Sequence, residues 1–340
     1  MPGDNRLLVP REYRTLSEVR SAIGGRMDRA HIDSLFDRLD WFETLHPLCL
    51  GDTPLRVFQQ TEDACEAWLF LLAPSAGRLT ALANWYSFAW SPIFLGEPDA
   101  RQQSRLLENI ARHLLREQAQ INLYPLALPG PLIGAFRRAG WFAVQRPMGG
   151  RYLLHVDGRD FASYWAQRPG RLRNQVRRKA RQGRYDLSIH DKLTDALWQD
   201  YVDVQAHSWK APEPGLNFLR VLAQRESDAG TLRLGFARLD GRAVATQLWT
   251  VEHGTALIHK LAHDSAQDEG SPGTLLSHAM FAHAIDQDRV ATIDYGTGDN
   301  DYKREWMDER IPLHQIDLFN PRRASSWIPA ARTCISALVG

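Results

Sequence analysis

The chain alternates stretches of helical periodicity with short apolar runs. Ile32, Leu35, Phe36, Leu39, Phe42 and Leu45 recur three or four residues apart, which predicts a helix over Ile32–Leu45. The same spacing predicts helices over Leu16–Ile23, Ala100–Glu117 and Leu132–Ala139, the last closed by Gly140. Glu66–Leu72, Ser87–Leu95, Gln120–Leu126 and Tyr152–His155 read as strands. The pattern then restarts. Asp160–Arg181 is helical apart from a break at Pro169-Gly170, Leu187–His190 is a strand, and Leu193–His207 and Asn217–Ser227 are helices. Leu232–Leu239, Ala243–Glu252 and Thr255–His263 are strands joined at Asp240-Gly241 and His253-Gly254, the turn chemistry of an antiparallel meander. A helix Thr274–Asp286, a strand Ala291–Tyr295, a helix Asp299–Met307 and a strand His314–Phe319 close the second half. Both halves run strands, long helix, strand, short helix, strand, which is a mixed α/β (α+β) class; the halves share no obvious sequence identity, and a structural duplication is a hypothesis here.

Composition narrows the classes. The chain has 340 residues, 41 Lys+Arg against 40 Asp+Glu and a formal net charge of +1, so it is no nucleic-acid-coating protein. Its three cysteines, Cys49, Cys65 and Cys334, are scattered and give neither a disulfide framework nor a zinc ribbon. The N-terminus has no apolar signal segment, and no stretch reaches the ~20 apolar residues a membrane span needs. The expectation is a cytoplasmic protein, with peripheral contact at the inner membrane left open.

Four segments carry chemistry. Ser271-Pro272-Gly273-Thr274-Leu275 follows a strand and opens a helix. Ser271 suits an N-cap, Pro272 the first helical position, and Gly273 a close approach of a ligand to the backbone. The free amides of such a first turn favour an anion, and a pyrophosphate fits. Residues 168 to 184 hold Arg168, Arg171, Arg173, Arg177, Arg178, Lys179, Arg181 and Arg184 with no acid among 17 residues. A run of one sign in a neutral chain points to an anionic partner: donor phosphates, an acidic lipid surface or tRNA. Trp209-Lys210 follows His207, and Asp294-Tyr295-Gly296-Thr297-Gly298-Asp299 precedes Tyr302-Lys303 and Trp306. No G-x-S-x-G, Walker A or dinucleotide fingerprint is present, which argues against covalent catalysis and nucleotide hydrolysis.

In this order, from about Phe161 to Phe319, these segments resemble the Fem-like branch of the GNAT acyltransferase superfamily, the branch of cellulose-biosynthesis-type acetyltransferases. The basic helix 168–181, Ser208-Trp209-Lys210, the Ser271-Pro272-Gly273 turn and the acidic, glycine-containing segment before Tyr302-Lys303 match its motifs. The resemblance implies tandem GNAT-like units, each a central mixed sheet flanked by helices. The expected division is a degenerate unit at residues 1–155, a catalytic unit at 156–325 and a tail at 326–340. It implies an acyl-CoA or acyl-carrier-protein thioester as co-substrate, no tightly bound cofactor, no metal, and an amine acceptor. A long-chain sphingoid base is one candidate acceptor, as in bacterial ceramide-synthase-type N-acyltransferases. The rival readings are an aminoacyl-tRNA-dependent transferase (tRNA being the less favoured partner), acetylation of an envelope polysaccharide, and a non-catalytic lipid- or protein-binding pair.

The candidate residues follow. His259 or His207 would serve as base, near neutrality the usual work of histidine. Asp294, Tyr302 and Lys303 would form the other catalytic wall. Ser271, Pro272, Gly273, Thr274 and Leu275, with Arg177 and Arg178, would hold the donor. Trp209, Lys210 and Asp299 would contact substrate. Trp85 and Trp90, in an aromatic segment of a chain with 11 Trp, would line an acyl groove if that segment is not core.

Overall fold

A computed structural model describes residues 9–51 and 53–339, and they fall into two compact units. Residues 9–149 and 312–339 build the first, and residues 150–311 the second.

In the first unit the strands are β1 (Arg11–Tyr13), β2 (Leu55–Glu62), β3 (Cys65–Ser75), β4 (Arg78–Ala81), β5 (Ile93–Leu95) and β6 (Gln120–Leu126). Its helices are α1 (Leu16–Ile23), α2 (Leu39–Cys49), α3 (Ala100–Glu117) and α4 (Gly130–Arg138). The strand β7 (Phe142–His155) leads from this unit into the next. α3 shows why its sequence is legible. Leu106, Leu107, Ile110, Ala111, Leu114 and Leu115 form one buried face, and Asp99 with Gln102 closes a capping box at its start. The Ile32–Leu45 helix is broken in the structure into a 3₁₀ turn at Leu35–Asp37 and α2. Ser87–Leu95 is strand only over Ile93–Leu95. Its aromatics turn inward as core, with Tyr86, Phe88 and Trp90 all buried.

The second unit contains α5 (Phe161–Ala166), α6 (Gly170–Ala180), β8 (Asp186–His190), α7 (Asp195–Ala206), α8 (Leu216–Asp228) and the meander β9 (Leu232–Leu239), β10 (Arg242–Glu252) and β11 (Thr255–His263). Then come α9 (Pro272–Ala282), a π turn at His283–Gln287, β12 (Thr292–Thr297) and α10 (Asp301–Trp306). The strand order is β7-β12-β11-β10-β9-β8. Both meander turns carry two successive positive-φ residues, Asp240-Gly241 and His253-Gly254, as the sequence pattern requires. The apolar face of α9 (Leu275, Leu276, Met280, Phe281) packs into a core with Trp249, Ile258, Ile293 and Trp306.

The two units repeat one construction. In the first, β4 and β6 run parallel and pair only over Arg78–Thr80 with Gln120–Asn122, with α3 crossing between them. In the second, β11 and β12 pair only over Thr255–Leu257 with Thr292–Asp294, with α9 crossing. The backbone joints match as well. The amides of Ala119 and Gln120 donate to the Gly77 carbonyl, as those of Ala291 and Thr292 donate to that of Gly254.

The boundaries differ from the expected 155/156 division and 326–340 tail. The strand β13 (Glu309–Phe319) pairs with β6 through His314–Phe319, and Thr292–Thr297 of β12 pairs with the Arg151–His155 end of β7. Each unit is thus completed by the strand that follows the other unit's short helix. The C-terminal segment contains a further helix, α11 (Trp327–Val339), and belongs to the first unit.

Candidate functional site

Beyond their three shared pairs, β11 and β12 splay apart, β11 continuing along β10 and β12 along β7. A cavity of about 250 Å³ opens there. Leu261 and His263 of β11, Tyr295 of β12, Gly273, Thr274 and Ser277 of α9, Tyr302 and Trp306 of α10, Leu172 and Gln175 of α6, and Trp209 line it.

The floor is the start of α9. Ser271 occupies the N-cap position in a left-handed conformation (φ 55°, ψ 45°), and its side chain does not cap the helix. Instead its Oγ accepts from Gln175 Nε2 at 3.1 Å. The Leu275 amide donates to the Ser271 carbonyl, and the helix offers the Gly273 and Thr274 amides no acceptor. The strained N-cap thus leaves an electropositive turn facing the cavity. The contrast with the first unit is direct, because the Asp99 carboxylate accepts from the Gln102 amide at 2.7 Å and occupies the corresponding end of α3. Behind α9, buried Gln247 donates to Ser277 Oγ at 2.7 Å and accepts from Trp249 Nε1 at 2.9 Å, which fixes the helix against β10.

The side wall holds a histidine–carboxylate pair. His263 Nε2 lies 2.6 Å from Asp268 Oδ1. With Nε2–H donated to that carboxylate, Nδ1 keeps its lone pair and faces α9, where a Cβ on Gly273 would lie 3.2 Å from it. The ring rests against Trp209, with centroids 4.5 Å apart.

Two lysines flank the gap. Lys210 Nζ donates to the Leu261 carbonyl on β11 at 2.6 Å, and Lys303 Nζ donates to the Thr297 carbonyl on β12 at 2.6 Å. Burial pushes each down to about 8. Lys260 adds to the lowering at Lys210 and Lys210 to that at Lys303, while Glu213 and Asp294 respectively oppose it. Burial also raises the Tyr295 and Tyr302 phenols, so both stay protonated as hydrogen-bond donors.

The structure therefore gathers Gly273, Thr274, Tyr302 and Trp209 on one cavity, with Ser271, Leu275, Lys210 and Lys303 beside it. Pro272 starts the helix as expected. Other expected residues are engaged elsewhere. Asp294 is fully buried, bonded to Arg151 at 2.7 Å and to the Gly296 amide at 2.8 Å, and holds the backbone rather than facing the cavity. Asp299 forms a two-point pair with Arg310 at 2.6 and 2.8 Å and accepts from Tyr152, which holds its carboxyl at about 2. His259 bonds Thr250 Oγ1 at 2.9 Å, and burial, with Lys260, pushes it down to about 3, so it is a poor base. His207 lines a separate 250 Å³ cavity with Asp200, Asp203, Arg242 and Asp264. Arg177 and Arg178 stand exposed on α6, whose cavity-facing residues are Leu172 and Gln175. Trp90 is buried in the first unit's core, its Nε1 donating to the Phe70 carbonyl, whereas Trp85 is exposed. In the sequence His259 is favoured over His263 because it sits mid-strand, where the resemblance would put the thioester. The acid five residues after His263 was the available signal. Among the described residues no cluster of His, Cys, Asp and Glu is suited to a metal.

Residues 166–304 match the family model described as the acetyltransferase (GNAT) domain. No curated protein sequence matches the chain. Similar solved structures include FemX (10% identity, TM-score 0.60, covering 91% of this chain and 98% of that one). Another is L-PGS from Bacillus licheniformis (13% identity, TM-score 0.52, covering 88% and 92%). A third is a tandem GNAT protein from the clavulanic acid biosynthesis pathway (12% identity, TM-score 0.51, covering 91% and 98%). The splayed parallel pair, the helix that crosses it and the match of residues 166–304 to the GNAT domain model agree, and the chain has a tandem GNAT-like fold.

Proposed function

We propose that the second unit is an N-acyltransferase that moves an acyl group from an acyl-CoA or acyl-carrier-protein thioester to a primary amine. The observation that carries this reading is the uncapped, glycine-containing start of α9 opening into the splayed gap beside His263. The phosphates of the donor would rest on the amides of Gly273 and Thr274, and its arm would run between β11 and β12. Arg177 and Arg178 on α6 are the cations proposed for the remaining donor phosphates.

The chemistry is direct aminolysis. The amine nitrogen attacks the thioester carbonyl, and His263 Nδ1 takes the proton that nitrogen sheds. Asp268 steadies the imidazolium that forms. The carbon–sulfur bond breaks, and the proton passes to the departing thiolate, so amide and free thiol are the products. Leu261 has its carbonyl held by Lys210 on the open edge of β11, and its amide on that same edge is the proposed oxyanion donor. Positioning of the two reactants supplies the rest of the acceleration.

The aromatic walls (Trp209, Tyr295, Tyr302, Trp306) favour an acceptor or acyl chain with an apolar body, and a long-chain sphingoid base is the acceptor we propose. The aminoacyl-tRNA reading is the second candidate, since the exposed cations of α6 also suit RNA and FemX shares the fold.

The test is thermal stabilisation by CoA, acetyl-CoA, palmitoyl-CoA and uncharged tRNA. A ligand at a hundred times its Kd adds about 2.7 kcal/mol to native stability. The reading predicts a shift with CoA species that Gly273→Glu abolishes, and a larger one with the long chain. A salt-sensitive shift with tRNA and none with CoA would replace it with aminoacyl transfer.

A further inference from the structure

α11 has its amphipathic pattern turned outward. At about 100° per residue, Trp327, Ile328, Ala331 and Ile335 fall within one arc of about 100°. Trp327, Ile328 and Ile335 are 62%, 67% and 63% exposed. Pro329, Ala330 and Thr333 occupy the opposite arc and are half-buried. A helix that serves only the fold packs its bulky apolar arc inward. Here the small and polar side faces the protein, and no residue from Trp327 to Ala337 is fully buried.

The segment that carries this arc has charge of one sign. After Asp317 the chain has no acidic residue, and Arg322, Arg323 and Arg332 are exposed, Arg323 with its guanidinium donating to the Arg116 carbonyl at 2.6 Å. Arg332 sits about 40° beyond Ile328 on the helix wheel. The Trp327 indole N–H donates to the Pro321 carbonyl at 3.1 Å while the rest of the residue stays open. An exposed tryptophan, two isoleucines and rimming arginines match the interfacial layer of an anionic bilayer. A second copy of the chain fits less well, because a two-fold pairing would set the arginine-rimmed patch against itself. No described helix is long and apolar enough to cross a membrane, so the geometry is one of lying in the surface.

We infer that α11 is an in-plane membrane-binding helix that docks the chain on an anionic lipid surface through Trp327, Ile328 and Ile335, aided by Arg322, Arg323 and Arg332. The inference rests on the first unit alone and stands or falls independently of the transfer reaction.

The test is co-flotation of the full chain with phosphatidylcholine vesicles, with and without phosphatidylglycerol. The expected result is binding to the anionic vesicles, weakened by salt. The Ile328→Asp/Ile335→Asp pair should reduce it by about tenfold or more, and each of Arg322→Ser, Arg323→Ser and Arg332→Ser by about fivefold. These side chains are exposed, so unchanged thermal midpoints will show that the variants fold. Absence of binding to anionic vesicles, or binding that the aspartate pair leaves intact, would overturn the proposal. So would a lipid-free dimer, seen by sedimentation, that Ile335→Asp splits.

Discussion

Replacing Lys303 by methionine tests the electrostatics of the gap through stability alone. Lys303 is 5% exposed, and burial lowers it from 10.5 to about 8. At 1.36 kcal/mol per pH unit, that shift corresponds to about 3 kcal/mol between the protonation states. The native state releases this proton near pH 8 and the unfolded chain near pH 10.5. Between those values the unfolded chain binds more protons, so this group makes stability rise with pH across that window. Lys303→Met removes the effect. At neutral pH the variant escapes the cost of burying a charge but loses the bond to the Thr297 carbonyl, roughly 1.5–3 kcal/mol, so the two proteins should unfold at similar urea concentrations. Near pH 10 the wild type should have gained about 2–3 kcal/mol relative to the variant. Urea denaturation of both at the two pH values reads the difference, and titrating groups that do not interact with Lys303 cancel. A gap that does not change with pH would refute the reasoning.

Two further outcomes follow from the same geometry. Gly273→Ala should hold or slightly raise the thermal midpoint, because alanine suits a helix better by roughly 0.5–1 kcal/mol. Its Cβ would crowd His263 Nδ1 at 3.2 Å, and turnover should fall about tenfold, so activity and stability move apart. Asp294→Asn should behave in the opposite manner, costing about 3 kcal/mol of stability by breaking the buried pair with Arg151, as measured by chemical denaturation.

Much of the fold was legible because local signals agreed with the tertiary outcome. α3, β6, β9 and β11 have the bounds their periodicity predicts, and the meander turns have the backbone their Asp-Gly and His-Gly pairs demand. The exchange of closing strands was not legible, since nothing in β13 says that its partner is β6 rather than a nearer strand. The aromatic run from Trp85 to Phe94 misled for a different reason. Bulky apolar residues read as strand or groove, and here irregular backbone delivers them to the core. At the site, the backbone features were written in the sequence: a Ser-Pro-Gly start, a Trp-Lys pair and a Tyr-Lys pair. The assignment of acids was not. Asp294 and Asp299 sit in the matching motif, yet Arg151 and Arg310, distant from the motif's own spacing, decide what those carboxylates do. Simple alternation puts His259 and His263 on one side of β11, and the bulge in the β10–β11 register at His259 breaks that alternation, so His259 bonds Thr250 while His263 lines the cavity.

The most direct test of the transfer reaction is amide formation from acetyl-CoA or palmitoyl-CoA and a panel of primary amines that includes a long-chain base. Wild type and His263→Gln are followed side by side by mass spectrometry. The account predicts amide product with the wild type. It predicts a loss of about 10²–10⁴ in rate for the variant, with its CoA-induced stabilisation intact. No amide from any CoA donor, or a variant as fast as the wild type, would contradict it.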